Sequence, residues 1–304
     1  MSQQPVNNDD SSNNSFLALI VAQVFFGSLP VIAKVALKTV PAVALVGFRV
    51  VVTAAALAAF QAYRGRFWLV NRNDYWRLAV LSLFGVTFNQ LLFITGLSLT
   101  KASNTSLLAV TIPIFTLTVG AVIGFERLTY IKIVGIVLAA VGVLLIIDPR
   151  NASFSSTTTL GDLLIVCNSL SYGIYVATSK QVITRNGVFR SMMWVFIFAA
   201  ILCGPLGAWS FSTVDLTTID SLIWLVMLYI ALGATAAPYL LNAYALARVE
   251  ASTVAVFVYL QPLIGFLLAV IFLNEQIGPL FVFAALLIFA GVFLVSKKFA
   301  ENAT

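Results

Sequence analysis

Histidine is absent from the 304 residues. With it go Ser-His and Cys-His catalysis, histidine-ligated metals and imidazole proton relays. Charge is scarce as well: 9% of residues are Asp, Glu, Lys or Arg, against about 25% in a soluble domain. So few charges cannot cover a water-facing surface of this size, which excludes a soluble enzyme, a DNA-binding protein and a disordered scaffold. Cysteine is limited to Cys167 and Cys203, both in hydrophobic runs, so no disulfide framework is implied. Strand-like alternation is missing, which argues against an outer-membrane barrel. No P-loop appears, so ATP is not a driver and no cofactor is expected.

What the chain has instead is apolar length. Hydrophobic residues make up 61%, and the mean hydropathy is +1.03. A helix crossing the hydrocarbon needs about 20 apolar residues. Apolar runs between charges and turn residues predict ten such helices, near 16–37, 43–63, 77–98, 103–125, 130–147, 160–182, 189–209, 221–246, 251–273 and 279–296. The expected fold class is therefore an all-α integral membrane protein whose solvent is the lipid bilayer. The polar, acidic residues 1–15 lack the basic start of a signal peptide and read as a disordered tail before an uncleaved first helix.

The basic residues fix an expected orientation. With the N-terminus inside, twelve Lys and Arg fall on the inner side and three, Lys38, Lys101 and Arg150, on the outer side. Lys34 and Arg49 lie within spans. The positive-inside rule then puts both termini in the cytoplasm, in the cell (inner) membrane. The formal charge of +6 is thus a topology signal, and no nucleic-acid partner is implied.

Shifting the chain by 149 residues aligns 96–147 with 245–296 without a gap. Pro113 falls on Pro262, Glu126 on Glu275, Gly142 on Gly291, and Ala102-Ser103 on Ala251-Ser252. A shift of 146 pairs Gly27 with Gly173 and Lys34 with Lys180. Two five-helix repeats, 16–148 and 160–298, follow. Five is odd, so the second copy must enter the membrane from the opposite side. Inverted repeats of this kind recur in secondary transporters, with the substrate near the midplane.

Together these landmarks resemble a known family. Phe26-Gly27-Ser28, Lys34, Pro41 and Arg49 are similar to the opening of EamA-type carriers of the drug/metabolite transporter superfamily. The runs from Pro113 to Glu126-Arg127-Leu128, and from Tyr259-Leu260-Gln261-Pro262 to Glu275, resemble its two proline-to-glutamate segments. The chain departs at Phe26, where the family often has Trp, and at Asn274-Glu275-Gln276, which lacks the usual basic residue. The resemblance implies a ten-helix exporter or permease of small metabolites, often amino acids.

Polar residues inside the spans are the candidate substrate ligands. Gln23, Gly27, Pro30 and Lys34 share one helical face, and so do Asn168, Tyr172, Tyr175 and Ser179. Asn89 and Gln90, Thr111, Tyr239 and Asn242, and Tyr259 and Gln261 add amides, hydroxyls and phenols from other spans. The expected binding set is Gln23, Asn89, Thr111, Asn168, Tyr172, Tyr175, Tyr239, Asn242, Tyr259 and Gln261; the alternative use of each is an interhelical hydrogen bond. Pro30, Pro113, Pro238 and Pro262 are expected kinks or hinges that free a carbonyl four residues earlier. Glu126 and Glu275, each just before a new helix, read as structural carboxylates offsetting a helix N-terminus. Small residues (the Gly120/Gly124 pair, Gly135, Gly142 and Gly291) favour close packing, within the fold or in a homo-oligomer. With so few charges in the spans, the expected cargo is a small neutral, zwitterionic or aromatic metabolite. An intramembrane enzyme and a passive channel are the alternatives, weakened by the missing catalytic sets and the missing filter-like loop.

Overall fold

The computed structural model describes residues 8–147, 158–216, 219–264 and 279–297. Among these no strand occurs. Helix α1 runs Asn8–Ala36, α2 Ala42–Tyr63, α3 Asn73–Leu99, α4 Ala102–Leu108, α5 Thr111–Val122, and α6 Tyr130–Ile147. Then come α7 Thr159–Asn186, α8 Val188–Phe211, α9 Ser221–Leu246, α10 Ala251–Ile264 and α11 Pro279–Ser296. Seven of these are long and apolar enough to cross a bilayer, and α5, α6 and α10 are shorter apolar helices. The molecule is a multi-pass membrane protein. Its outward faces are apolar, with Val122, Trp209, Leu225 and Phe293 exposed, while Arg49, Gln23, Thr53 and Thr235 are buried. That inside-out pattern is what lipid contact requires.

Three spans differ from the sequence expectation. The first helix begins at Asn8, inside the stretch 1–15 read as disordered, because a stable span propagates helix cheaply beyond its end. The run 103–125 is not one helix: it breaks between α4 and α5. The run 251–273 likewise passes through a 3₁₀ turn at Phe257–Tyr259, and its last part, with Glu275 beyond it, lies outside the described residues.

The prolines explain the breaks differently from a simple kink. Pro113 occupies the first turn of α5, where its missing N–H costs nothing, and the Ala109 carbonyl is taken by the Ile112 N–H at 3.0 Å. Pro262 follows the 3₁₀ turn in the same way. Pro238 follows a π turn at Leu232–Ala236, where the end N–H reaches the Leu232 carbonyl five residues back. Of the four expected kinks, Pro30 alone sits within an uninterrupted helix, as Pro205 does in α8. A second π turn, Leu83–Phe88, interrupts α3. The two π turns start 149 residues apart, the offset read from the sequence.

Helix α2 packs along α8, α6 along α11, α3 and α5 against α7, α1 against α9, and α10 against α5. Glycine sets two of these distances. A Cβ on Gly47 would lie 2.5 Å from the Gly207 Cα, so α2 and α8 meet backbone to backbone. Gly135 and Gly291 do the same between α6 and α11. Gly124 is different: its φ of +78° makes it the turn that ends α5, so the Gly120/Gly124 pair is not a packing stripe.

Polar ties close both ends of the bundle. At one end Lys34 Nζ donates to the Thr100 carbonyl (2.8 Å), and Thr100 Oγ1 donates to Asp162 Oδ1 (2.6 Å). Asn104 Nδ2 adds a bond to the same carboxylate oxygen (3.0 Å). Asp162 opens α7 and Arg185 closes it, roughly 35 Å apart along the axis. At that other end Arg185 and Asn186 hold Asp74, and Lys180 Nζ donates to the Val249 carbonyl (2.7 Å). The contact of Lys34 on Thr100 thus recurs as Lys180 on Val249, at the opposite end.

Candidate functional site

One cavity lies among α1, α2, α3, α7, α9 and α10 and the break between α4 and α5. It encloses about 640 Å³ of space free of atoms, the open solvent at its mouth included. Phe26, Leu29, Phe93, Ala109, Ile112, Ile165 and Val258 form its apolar wall. Arg49, Asn89, Gln90, Asn168, Tyr172, Tyr239 and Gln261 supply the polar groups.

The irregular backbone builds this wall. A π turn leaves carbonyls without their helical partner, and in hydrocarbon each must find a donor. Around Leu83–Phe88 the donors come from α7 and α9. Ser171 Oγ donates to the Phe84 carbonyl (2.8 Å), Tyr239 Oη to Gly85 (2.6 Å), and Asn168 Nδ2 to Asn89 (2.7 Å). Around Leu232–Ala236, Thr235 Oγ1 donates to the Ile230 carbonyl (2.6 Å) and Thr53 Oγ1 to Ala231 (2.8 Å). Arg49 reaches the same turn, its Nε donating to Thr235 Oγ1 at 2.8 Å.

Five residues of the expected binding set line the cavity: Asn89, Asn168, Tyr172, Tyr239 and Gln261. Two more stand one hydrogen bond behind it. Gln23 accepts from Gln261 Nε2 (2.8 Å), and Asn242 Nδ2 donates to the Tyr172 hydroxyl (2.8 Å). The remaining three are spent elsewhere. Thr111 donates to the Leu108 carbonyl (2.7 Å) across the α4–α5 break. Tyr175 packs its ring on Gly85, with its hydroxyl 3.4 Å from Met192 Sδ. Tyr259 donates to the Val110 carbonyl (2.9 Å), tying the 3₁₀ turn of α10 to that break, beside a small void that Pro262 also lines.

Below Tyr172 an aromatic floor forms. Tyr239 meets Tyr172, Phe26 and Phe196 edge-on, with ring centroids 6.4, 5.8 and 5.2 Å away. Edge-to-face rings of this kind fix one another's orientation. The lining residues of α7 fall in its first half and those of α3 in its second half. The cavity therefore leans toward the Thr100–Asp162 end, and the floor separates it from the Asp74–Arg185 end.

Two polar residues outside the expected binding set also line the cavity, Arg49 and Gln90. Arg49 is 2% exposed and faces the cavity; the signal was a lone Arg in an apolar span with no nearby acid. Gln90 is equally buried and lies beside the Tyr239 phenol, yet among the described residues neither of its amide atoms meets a partner in hydrogen-bonding geometry. The apolar wall left no signal, because Phe26, Phe93 and Ile165 read like lipid-facing residues.

Glu126 ties the two halves of the chain together. Its Oε1 accepts from the Ser252 N–H (2.8 Å), capping α10, and its Oε2 meets Lys132 Nζ at 3.1 Å. Lys132 also pairs with Glu250 at 2.8 Å. The capped helix is not the next one along the chain, as the sequence implied, but one from the far half.

The pattern of the EamA-like transporter family matches residues 14–148 and again 159–297. The chain belongs to the EamA-like transporter family. It is a membrane transporter and not an enzyme. It is 25% identical over 289 residues to a protein of Archaeoglobus fulgidus named an uncharacterized transporter, covering 95% of this chain and 99% of that one. It is 28% and 29% identical over 296 residues to probable amino-acid metabolite efflux pumps of Salmonella typhimurium and Escherichia coli, covering 93% of this chain and 95% of each relative. A solved structure titled only as the crystal structure of a protein superposes with a TM-score of 0.74 over 94% of this chain and 97% of the other, at 17% identity. That likeness speaks for the fold alone.

Proposed function

We propose that this EamA-family member is a secondary transporter, active or facilitative, that exports small metabolites such as amino acids by alternating access. Its ten spans form two inverted five-helix repeats, 16–148 and 160–298, in the cell membrane with both termini cytoplasmic. The observation that carries the reading is the composition of the cavity. Phe26 with Tyr172 stand at the sequence offset of 146, and Gln90 with Tyr239, Ala109 with Val258, and Ile112 with Gln261 at 149. Repeat-related positions thus converge on one site. The paired π turns and the Lys34 and Lys180 contacts at opposite ends support the same relation.

Such symmetry supplies the mechanism. Two copies of one pattern in opposite orientations give two states of similar energy, one open to each side, around a fixed central site. The Thr100–Asp162 ties and the Asp74–Arg185 ties would break in alternation. The names of the Salmonella and Escherichia relatives support amino-acid cargo.

The test is reconstitution into liposomes with labelled amino acids and other small metabolites, with and without a pH gradient. Counterflow of at least one panel member is expected. If none crosses faster than in protein-free vesicles, the metabolite-carrier reading fails; a single-channel current in a planar bilayer would replace alternating access with a pore.

A further inference from the structure

Two cations at the bundle ends have acidic partners: Arg185 has Asp74, and Lys132 has Glu126 and Glu250. Arg49 does not. It is among the largest fully buried side chains, and its one hydrogen bond runs from Nε to a neutral hydroxyl, Thr235 Oγ1. That hydroxyl is itself directed at the Ile230 carbonyl. The terminal nitrogens Nη1 and Nη2 have no acceptor among the described residues, and no Asp or Glu lines the cavity of which Arg49 is part of the wall.

A guanidinium stays charged at any physiological pH, so it cannot escape burial by losing its proton. A buried cation without a counter-ion is costly unless something that enters the site meets it. The guanidinium edge presents two parallel N–H donors, the geometry that a carboxylate accepts in bidentate form. Gln90, buried in the same wall beside the Tyr239 phenol with no hydrogen bond of good geometry among the described residues, is a second available polar group.

We infer that Arg49 anchors a carboxylate of the transported molecule, so that the substrate class is small organic acids, zwitterionic amino acids included. Gln90 supplies the adjoining amide contact, and Phe26 and Phe93 take the apolar remainder of the ligand. This rests on the carrier reading above and adds the group that selects the cargo. A purely cationic amine would be repelled from the same position.

The experiment compares acids with their neutral-carbonyl analogues: alanine with alaninamide, and phenylalanine with phenylalaninamide. Binding is read by thermal stabilisation of the full chain in detergent, and flux by counterflow in proteoliposomes. Each acid is expected to bind and cross at least about tenfold better than its amide, the usual consequence of losing a charge-assisted bidentate contact. Arg49→Gln should erase that difference, and Arg49→Lys, which keeps charge without the fork, should fall between. The comparison in the unmodified chain needs no variant to fold. Equal binding of acid and amide overturns the assignment, as does an unchanged preference in Arg49→Gln. Acid-selective binding without flux upholds Arg49 and overturns the carrier reading, whereas flux without acid preference does the reverse. If no probe binds or crosses, both fall.

Discussion

Asp74 and Arg185 form the most closely bonded ionic contact described in the fold, and its two partners are unequal. Asp74 is fully buried in the first turn of α3, while the Arg185 side chain keeps 39% of its surface exposed. The carboxylate accepts from Arg185 Nε at 2.8 Å, from Nη2 at 2.6 Å and from Asn186 Nδ2 at 2.7 Å. Arg185→Gln leaves a buried carboxylate with only a neutral amide for company. Breaking a buried pair in that sense costs about 3–5 kcal/mol. Asp74→Asn leaves a guanidinium that can turn into water, so its loss reduces to a charge-assisted hydrogen bond, about 1.5 kcal/mol after discounting for exposure. The double variant should therefore be more stable than Arg185→Gln alone, because it removes the stranded charge. The assay is unfolding in mixed detergent micelles followed by tryptophan fluorescence, run on both single variants and the double. If Asp74→Asn costs as much as Arg185→Gln, or if the double variant is the least stable of the three, burial asymmetry does not govern this pair.

Glu126→Gln removes a charged cap from α10 and a partner from Lys132. A loss of about 1–2 kcal/mol is expected, with the pH dependence of transport unchanged; a lost pH dependence would make Glu126 a coupling group. Gly207→Ala drives a Cβ to within 2.5 Å of the Gly47 Cα, so α2 and α8 must separate, and thermal unfolding should report at least the 1–3 kcal/mol typical of overpacking. Asp220 caps α9, accepting from the Leu222 N–H at 2.9 Å, and that bond, with the Ser221 hydroxyl, holds its carboxyl below the usual range. Its contribution is complete above the ordinary carboxylate pKa of about 3.9 and fades as pH falls through the lowered value, so the stability gap between Asp220→Ala and the unmodified chain should close in acid.

Hydropathy and charge are one-dimensional signals, and they revealed the helices, the proline and glutamate landmarks and the doubled pattern. They could not reveal what depends on a partner distant in sequence. Glu126 reads as a capping carboxylate, but the N–H it accepts from lies 126 residues later, at Ser252 in the first turn of α10. Thr111 and Tyr259 carry the right chemistry for ligands, yet the α4–α5 break takes both hydroxyls. That break is itself invisible in a run of uniformly apolar residues. Asp162 stands in the first turn of α7 and is buried under Thr100 and Asn104, residues about 60 positions earlier in the chain. The π turns have no composition of their own: Leu83–Phe88 and Leu232–Ala236 are stable because Ser171, Tyr239, Thr53 and Thr235 arrive to take the bypassed carbonyls.

Those turns also separate polar groups the fold requires from those it does not. In hydrocarbon a polar side chain is retained when it satisfies another group, and Ser171, Thr53, Thr235 and the Tyr239 hydroxyl each do so. Subtracting them leaves a remainder that structure alone does not explain. Among the described residues the Gln90 amide, Gln23 Nε2 and Asn242 Oδ1 are buried without partners, and Arg49 lines the cavity with Nε as its one hydrogen-bonded nitrogen. Each unpaired group carries a desolvation cost of about 1–3 kcal/mol, more for the charge, which a bundle optimised only for stability would shed by substitution to Leu or Phe. Arg49 and Gln90 line the cavity, Gln23 is bonded to its Gln261, and Asn242 to its Tyr172. Hydroxyls such as those of Ser191 and Ser252, outside the cavity lining, are unpaired among the described residues as well; what sets the cavity groups apart is that a ligand entering there can bring the missing donors and acceptors, and that condition distinguishes a substrate site from a void between helices.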